Sequence, residues 1–219
     1  MSFVTLDWVK RGVVGCGLLA VSLGCATTGQ QKASSAATSL QQTRKDIANC
    51  NGALDKAVAS LADIAQRPQS DLKPQFDTFK ASVVALDAQS KTVAASAQAM
   101  QARGEEYFKS WEQELAGINN PELRQISADR RAKLSDHYQK VTEGYEKAKA
   151  AFDPLMVQLS DVQKILGLDL TDNGVKMASG SAIEAKASAE TVKKELNGVN
   201  AELDELSKLL SGTPPAGSK

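Results

Sequence analysis

Three cysteines are the residues with the most distinctive chemistry, and two of them, Cys16 and Cys25, lie within one apolar run near the start of the chain. Residues 12–24 carry no charge over 13 positions and follow Lys10 and Arg11. This run is shorter than the roughly 20 apolar residues that a helix needs to cross the hydrocarbon of a membrane. It is typical of the apolar region of a secretory signal peptide, which is about 7–15 residues long.

Both cysteines follow the small and aliphatic residues of a bacterial lipobox, the motif in which a cysteine receives lipid and becomes the new N-terminus. Cys16 has the closer local match, after Val13-Val14-Gly15. Cleavage there would leave the apolar residues 17–24 in the mature protein. Cleavage before Cys25 keeps the whole apolar run in the part that is removed. We therefore predict a signal peptide over residues 1–24 and lipid attachment at Cys25, with two or more acyl chains giving a stable membrane anchor.

The residues after Cys25 indicate where the anchored protein is located. They are small and polar, so residues 25–36 are predicted to form a flexible tether. Ala26 stands where some lipoproteins carry the Asp that retains them at the inner membrane. We therefore predict a cell-envelope protein, lipid-anchored to the outer membrane on its periplasmic face if the source has two membranes.

Cys50 has no cysteine left to pair with once Cys25 is acylated, so an intramolecular disulfide is excluded. Two interpretations of Cys50 stay open. It is either a small buried hydrophobic residue, as free cysteines usually are, or the site of an intermolecular disulfide.

Other residues with catalytic or metal-binding chemistry are isolated. His137 is the only histidine and occupies a position in the apolar repeat, with no second His or Cys nearby to build a site. Asp169, Asp172 and Asn173 lack the spacing and the closing Glu of a calcium-binding EF-hand. HExxH, CxxC, GxSxG and glycine-rich phosphate-loop motifs do not occur. We expect no catalytic, cofactor-binding or metal-binding residues, and hence no enzyme.

Glu114 is the one charged residue in the mainly apolar repeat of the second predicted helix. Folding the second and third predicted helices against each other about Asn120 brings it near Arg124. We predict a possible ion pair between Glu114 and Arg124 that fixes the register of the two helices, the best-established use of a polar residue in such a seam. The alternative is a solvated position at the edge of the seam.

The composition indicates which elements position these residues. Removing Lys10, Arg11 and Asp7 with the signal peptide leaves 24 basic and 25 acidic residues of the 26 of each, a net charge of −1. Such a balance provides no electrostatic surface for nucleic acid. Aromatic residues make up only 5% of the chain, and alanine, glutamate, lysine, glutamine and leucine are abundant. This composition is typical of long helices.

Three breaks divide the chain into four predicted helices within residues 37–210. The first break is at Pro68, with Ser70 predicted as the next N-cap. The second is Asn119-Asn120-Pro121, with Asn120 as N-cap and Pro121 as the first helical residue. The third lies at residues 167–171, and residues 211–219 are predicted to be a disordered tail.

Between the breaks, apolar residues recur in alternating steps of three and four, the pattern of a left-handed coiled coil. We predict an all-α fold, an elongated antiparallel bundle of about four long helices, roughly 70 Å in length. The repeat of the second helix is interrupted at Ser90, Gly104 and Glu114. The repeat of the third shifts frame between Ala148 and Phe152, a stutter that locally unwinds a coiled coil. The seam predicted for the first helix is Ala37, Leu40, Arg44, Ile47, Asn51, Leu54, Val58 and Leu61.

The stretches "YFKSWEQELAGINNPELRQIS" and "YQKVTEGYEKAKAAFDPLMVQLSDVQKIL" resemble a family of bacterial helical, coiled-coil-rich lipoproteins known as a domain of unknown function. The resemblance covers residues 40–210 and implies a periplasmic helical chain, without implying an activity. The third helix in that family ends in a polar Lys-His-Asn turn, where this chain has Gly167-Leu168-Asp169-Leu170. The residues that carry the resemblance are Phe108, Trp111, Glu114, Leu115, Asn120, Leu123, Ser127, Tyr138, Pro154 and Leu155.

Three functions are compatible with these features. The first is a non-enzymatic lipid-anchored scaffold, spacer or adaptor that binds envelope proteins or a second copy of itself through its coiled coils. The second is an envelope tether joined to peptidoglycan through the terminal Lys219. The third is a ligand carrier with a cleft between helices, which no sequence motif locates.

Overall fold

Four long helices joined by short connections form the part of the chain that the structure, a computed structural model, describes, which is residues 29–211. The described residues contain no strand, so the predicted all-α fold with four helices is confirmed. In chain order the helices are α1 (Gly29–Gln66), α2 (Lys73–Ala116), α3 (Pro121–Leu168) and α4 (Asp172–Ser211).

The first two turns of α1 lie within the segment that the sequence assigns to a flexible tether. Residues 29–36 are helical and are held against α2 by polar contacts. The Lys32 ammonium lies 3.6 Å from the Glu106 carboxylate, and Arg103 donates a hydrogen bond to the Ser35 hydroxyl. Because these contacts hold the segment against α2, the helix begins before the predicted residue 37.

The turn between α2 and α3 is the one that the sequence predicts. The Asn120 side-chain oxygen accepts hydrogen bonds from the backbone N–H groups of Glu122 and Leu123, at 2.9 and 3.2 Å. Pro121 is the first residue of α3, where the missing N–H of proline costs no helical hydrogen bond. The predicted N-cap is therefore confirmed.

The start of α2 differs from the prediction. Ser70 is not its N-cap, because the helix begins at Lys73 and Leu72 occupies the cap position without a capping side chain. The Asp71 carboxylate accepts the Lys73 N–H at 3.0 Å, and Leu72 is buried in the core. The buried Gln75 side chain donates to the Asp63 carboxylate in the last turn of α1 and to the Arg67 carbonyl in the loop, which holds the end of α1 and the connection against α2. Burial of Leu72 thus determines where the helix starts.

The helices form an antiparallel ring in which each contacts two neighbours and α4 closes the ring on α1. Along the α1–α4 seam, the residue numbers of the contacting pairs increase on α1 by the same amounts by which they decrease on α4. Such a constant step in opposite directions defines an antiparallel register. The pairs are Arg44–Asp204 at 2.9 Å, Asn51–Asn197 at 3.1 Å and Asp55–Lys193 at 2.8 Å.

The core follows the predicted apolar repeat most closely in α4. Mainly alanines occupy the seam in its first half and mainly leucines in its second half. The buried apolar seam residues of α4 are Val175, Ala178, Ala182, Ala185, Ala189, Val192, Leu196, Val199, Leu203 and Leu206.

Half of the seam predicted for α1 is wrong. The leucine and isoleucine positions are buried as predicted, but the alternate positions are shifted by one residue toward the N-terminus. Thr43 and Cys50 are buried where the sequence predicts Arg44 and Asn51. Burying a guanidinium without a partner is costly, and the observed rotation of α1 lets Arg44 reach Asp204 at the edge of the bundle. The Thr43 hydroxyl meanwhile donates to a carbonyl of its own helix.

The first turns of α3 are also more exposed than the predicted seam implies. Leu123 is 57% exposed, and Leu134 is the first residue of α3 in the core. Arg130 donates to the backbone carbonyl of Leu209, which places the end of α4 beside Arg130. The described part of α4 ends at Ser211 and therefore does not cover the preceding turns of α3.

Candidate functional site

The predicted lipid-attachment residue Cys25 lies outside the described residues, as do Cys16, the signal peptide over residues 1–24 and Lys219. Four residue steps separate Cys25 from Gly29, the first residue of α1. Among the helices described, none has the length and apolar character needed to cross a membrane.

Glu114 and Arg124 do not form the predicted ion pair. Arg124 donates to the backbone carbonyl of Ile118 at 2.9 Å, and Glu114 accepts a hydrogen bond from Ser110 at 3.3 Å. Both carboxylate oxygens of Glu114 lie 3.0 Å from the position that a β-carbon on Gly29 would occupy. Glu114 therefore lies beside the first residue of α1, where a negative charge offsets the positive end of the helix dipole. The sequence pairs Glu114 with the helix that follows it, whereas the fold places it against the helix that precedes it.

His137 packs between α3 and α4. Its Nδ1 atom lies 2.8 Å from the Glu202 carboxylate, and both side chains are half-buried. Within residues 29–211, no three His, Cys, Asp or Glu side chains come together to hold a metal ion. The contact with Glu202 joins two helices and leaves one imidazole nitrogen for other partners.

An apolar pocket of about 270 Å³ opens on the side of the bundle between α2 and α3, which approach each other less closely than the other neighbouring helices. Its floor is formed by core residues, Cys50 of α1 and Val192 and Leu196 of α4. We call it the lateral pocket. It is lined by Cys50, Asp87, Ser90, Lys91, Val93, Ala94, Tyr145, Ala148, Lys149, Phe152, Asp153, Met156, Val192 and Leu196.

The mouth of the lateral pocket carries two ion pairs, one on each helix that borders it. On α2, Lys91 lies 2.7 Å from Asp87, and on α3, Lys149 lies 2.8 Å from Asp153. Each pair spans four residues of one helix, the spacing that brings side chains together on a helix face. The hydrogen bond to Asp153 raises the pKa of Lys149, because it favours the charged ammonium. Charged groups thus surround an apolar interior.

Cys50 is a free thiol at the floor of the lateral pocket and is only 3% exposed. Burial raises the pKa of Cys50 to about 11, since the thiolate would lose its hydration. The thiol is therefore neutral near pH 7 and a weak nucleophile. The interpretation of Cys50 as a small buried hydrophobic residue is confirmed.

Three irregularities of the sequence meet at the lateral pocket. Ser90, which interrupts the apolar repeat of α2, lines it. Ala148 and Phe152, between which the repeat of α3 shifts frame, line it as well, and Pro154 lies next to them within the continuous α3. A stutter unwinds the local supercoil, and small residues on facing helices leave space between them. The sequence shows each irregularity, but it does not show that all of them lie at the same position along the bundle axis.

Comparison with known proteins identifies a family but no individual relative. The family model with the description "Protein of unknown function (DUF2959)" matches residues 24–210, which include the lateral pocket and nearly all of the four helices. No curated protein and no solved structure matches the chain. The expected resemblance to a family of unknown function is confirmed, over a range that begins earlier than predicted.

Proposed function

We propose that this chain, which belongs to the DUF2959 family of proteins of unknown function, is a non-enzymatic envelope lipoprotein whose helical bundle acts as a scaffold or spacer for protein partners. The observation that carries the proposal is the position of the start of α1. Gly29 lies beside Glu114 near the end of α2, so α1 begins at one end of the bundle. A lipid on Cys25 would hold the bundle by this end, and the helices would project from the membrane.

The dimensions of the helices support the role of a spacer. The longest helix, α3, has 48 residues and is about 72 Å long at 1.5 Å per residue. The end remote from Gly29 is formed by the α1–α2 and α3–α4 connections. Leu168 lies at that remote end and is 90% exposed, which makes it a candidate contact for a partner.

The residue after Cys25 supports an outer-membrane location on the periplasmic face, and the extent of the family match supports a removable signal. Ala26 follows the proposed lipidated cysteine, where inner-membrane lipoproteins of some bacteria have Asp. The family match begins at residue 24, so the apolar run that precedes Cys25 lies outside the matched range almost entirely. This is the arrangement expected when the run is a removable signal and the family domain is the mature protein.

Replacement of single cysteines tests the anchor. We expect Cys25→Ala to abolish acylation of the N-terminal peptide in mass spectra and to release the protein from the membrane fraction. Cys16→Ala is the matched control and should leave both lipid and membrane retention unchanged, because Cys16 is removed with the signal. Loss of the lipid in Cys16→Ala, or its retention in Cys25→Ala, would contradict the proposed attachment site.

A further inference from the structure

The lateral pocket has no part in the proposed scaffold function, since a spacer requires only a stiff and well-packed rod. Protein interiors are close-packed, with few voids larger than a water molecule. The lateral pocket of about 270 Å³ is an opening between α2 and α3 whose floor consists of core residues, so these two helices do not pack as closely there as the core does. Its floor and walls are mainly apolar, so water inside finds few hydrogen-bond partners. The pocket therefore favours an apolar occupant.

The interior of the pocket limits the size and shape of that occupant. Ligand sites usually have volumes of roughly 300–1,000 Å³, and this pocket is just below that range. It therefore fits one alkyl chain rather than a lipid with two chains. Phe152 and Met156 line one wall, and the flexible methionine side chain adapts to chains of variable conformation.

The charged side chains at the mouth of the pocket indicate the chemistry of the occupant's polar head group. Lys91 and Lys149 both line the pocket, Lys91 on α2 and Lys149 on α3. Each ammonium has three hydrogen-bond donors and uses one of them on an aspartate of its own helix, so donors remain for an anion above the opening. The aspartates carry short side chains that are already paired, whereas the long lysine side chains are able to swing over the mouth.

We propose that the lateral pocket binds a free long-chain fatty acid, with the alkyl chain inside the bundle and the carboxylate between Lys91 and Lys149. This assignment does not depend on the lipid anchor at Cys25, because every group that it invokes lies between α2 and α3 or on the floor below them. A spacer with this site would respond to, or carry, free fatty acid in the envelope.

Photocrosslinking on the full-length protein tests the proposal. Membranes that contain the protein are incubated with a palmitate analogue that carries a diazirine near the end of its alkyl chain, and then irradiated. We expect adducts on the tryptic peptides 46–56 and 150–164, which contain Cys50 and the Phe152–Met156 wall. Adducts confined to exposed residues outside the pocket would overturn the proposal.

A matched pair of substitutions separates binding in the pocket from adsorption to the surface. Ala94 lines the pocket, whereas Ala95 is exposed on another face of α2. Ala94→Phe should reduce the pocket adducts by about tenfold or more, because the ring occupies the space of the alkyl chain. Ala95→Phe should leave the adducts unchanged. If Ala94→Phe fails to fold, Ser90→Phe fills the same opening, and equal labelling in a folded filled variant and in Ala95→Phe would refute the assignment.

Competition with unlabelled chains tests the head group. Palmitate should compete about tenfold better than the corresponding alcohol, since a hydrogen bond between an ammonium and a carboxylate is stronger than one to a neutral hydroxyl. The double variant Lys91→Gln, Lys149→Gln should abolish this preference without reducing competition by the alcohol. Equal competition by the alcohol, or stronger competition by the corresponding amine or by a lysophospholipid, would overturn the assignment of a carboxylate.

Discussion

Single polar residues next to the core determine how the helices are rotated about their axes. Arg44 is at the edge of the bundle rather than in it, because its guanidinium reaches Asp204 there and would lose hydration inside. The same rotation places Cys50 in the core, at the floor of the lateral pocket. Glu114 likewise lies beside Gly29 at the start of α1, whereas the sequence predicts a contact with Arg124 of α3. One-residue differences of this kind decide which side chains line the pocket.

The buried thiol of Cys50 predicts a pH dependence of stability. Burial raises the pKa of Cys50 from 9.0 to about 11, so the protonated thiol is favoured by folding. Its contribution is fully present below pH 9 and is lost as the pH rises toward 11. Between about pH 8 and pH 10.5, we expect the free energy of unfolding of the native protein to fall by about 2 kcal/mol more than that of Cys50→Ala.

Urea denaturation under reducing conditions, at several pH values in this window, measures the effect. Cys50→Ala is the appropriate reference because lysines and tyrosines titrate in both proteins and cancel in the difference. Parallel curves for the native protein and Cys50→Ala would show that Cys50 is hydrated in the folded state, contrary to its burial.

At the scale of helices, α2 and α3 are held together by an aromatic contact with a glycine. Tyr138 of α3 lies over Gly104 of α2 and donates a hydrogen bond to the Gln101 carbonyl at 2.7 Å. Its ring also meets Phe108 edge-on, with centroids 5.5 Å apart. Gly104 thus interrupts the apolar repeat because the Tyr138 ring of α3 occupies the space that a larger side chain would need. The same two helices border the lateral pocket elsewhere along their length.

Gly104→Ala is therefore expected to destabilise the protein although alanine is the better helix former. A β-carbon on Gly104 would lie 2.4 Å from the Tyr138 ring. Overpacking costs about 1–3 kcal/mol and the gain in helix propensity is about 1 kcal/mol. We therefore expect the free energy of unfolding to fall by up to about 2 kcal/mol. Thermal or urea unfolding measures it.

Gly180→Ala provides the control for this prediction. Gly180 lies within α4, and a β-carbon there would meet no atom within 4 Å. The same change of side chain should therefore stabilise the protein by about 1 kcal/mol. Equal effects of Gly104→Ala and Gly180→Ala would show that Tyr138 does not constrain the α2–α3 contact.

At the scale of the whole molecule, the ring of four antiparallel helices forms a rod with two different ends. Gly29 and the α2–α3 turn lie at one end, and the α1–α2 and α3–α4 connections lie at the other. Under the proposed anchoring at Cys25, the first end faces the membrane. The remote end, which includes the exposed Leu168, is then the part of the molecule that reaches furthest into the periplasm.

Site-specific photocrosslinking in intact cells tests whether this end binds a partner. A photoreactive amino acid at Leu168 should yield a discrete crosslinked envelope protein, because the side chain is 90% exposed at the remote end. The same amino acid at Gly198, which lies in open space on α4, is the control and should yield little. Equal crosslinking at both positions, or none at Leu168, would contradict a partner at the remote end.

The sequence by itself determined the features that depend on neighbouring residues along the chain. The number of helices, the Asn120 cap and the buried seam of α4 all follow from local periodicity and capping, and the structure has them as predicted. The starts of α1 and α2 and half of the α1 seam differ from the local prediction, and at α2 the burial of Leu72 overrode the local capping signal.

Only the tertiary structure determined which of these helices contact each other, and at which positions along the bundle axis they do so. The rotation of α1, the position of Glu114 beside Gly29 and the lateral pocket all involve residues far apart in the sequence. A heptad repeat indicates which face of a helix is buried, but it does not fix the distance between two helices or the residue opposite each position. Ser90 and the stutter after Ala148 are visible in the sequence, yet they form a pocket only because folding brings them side by side.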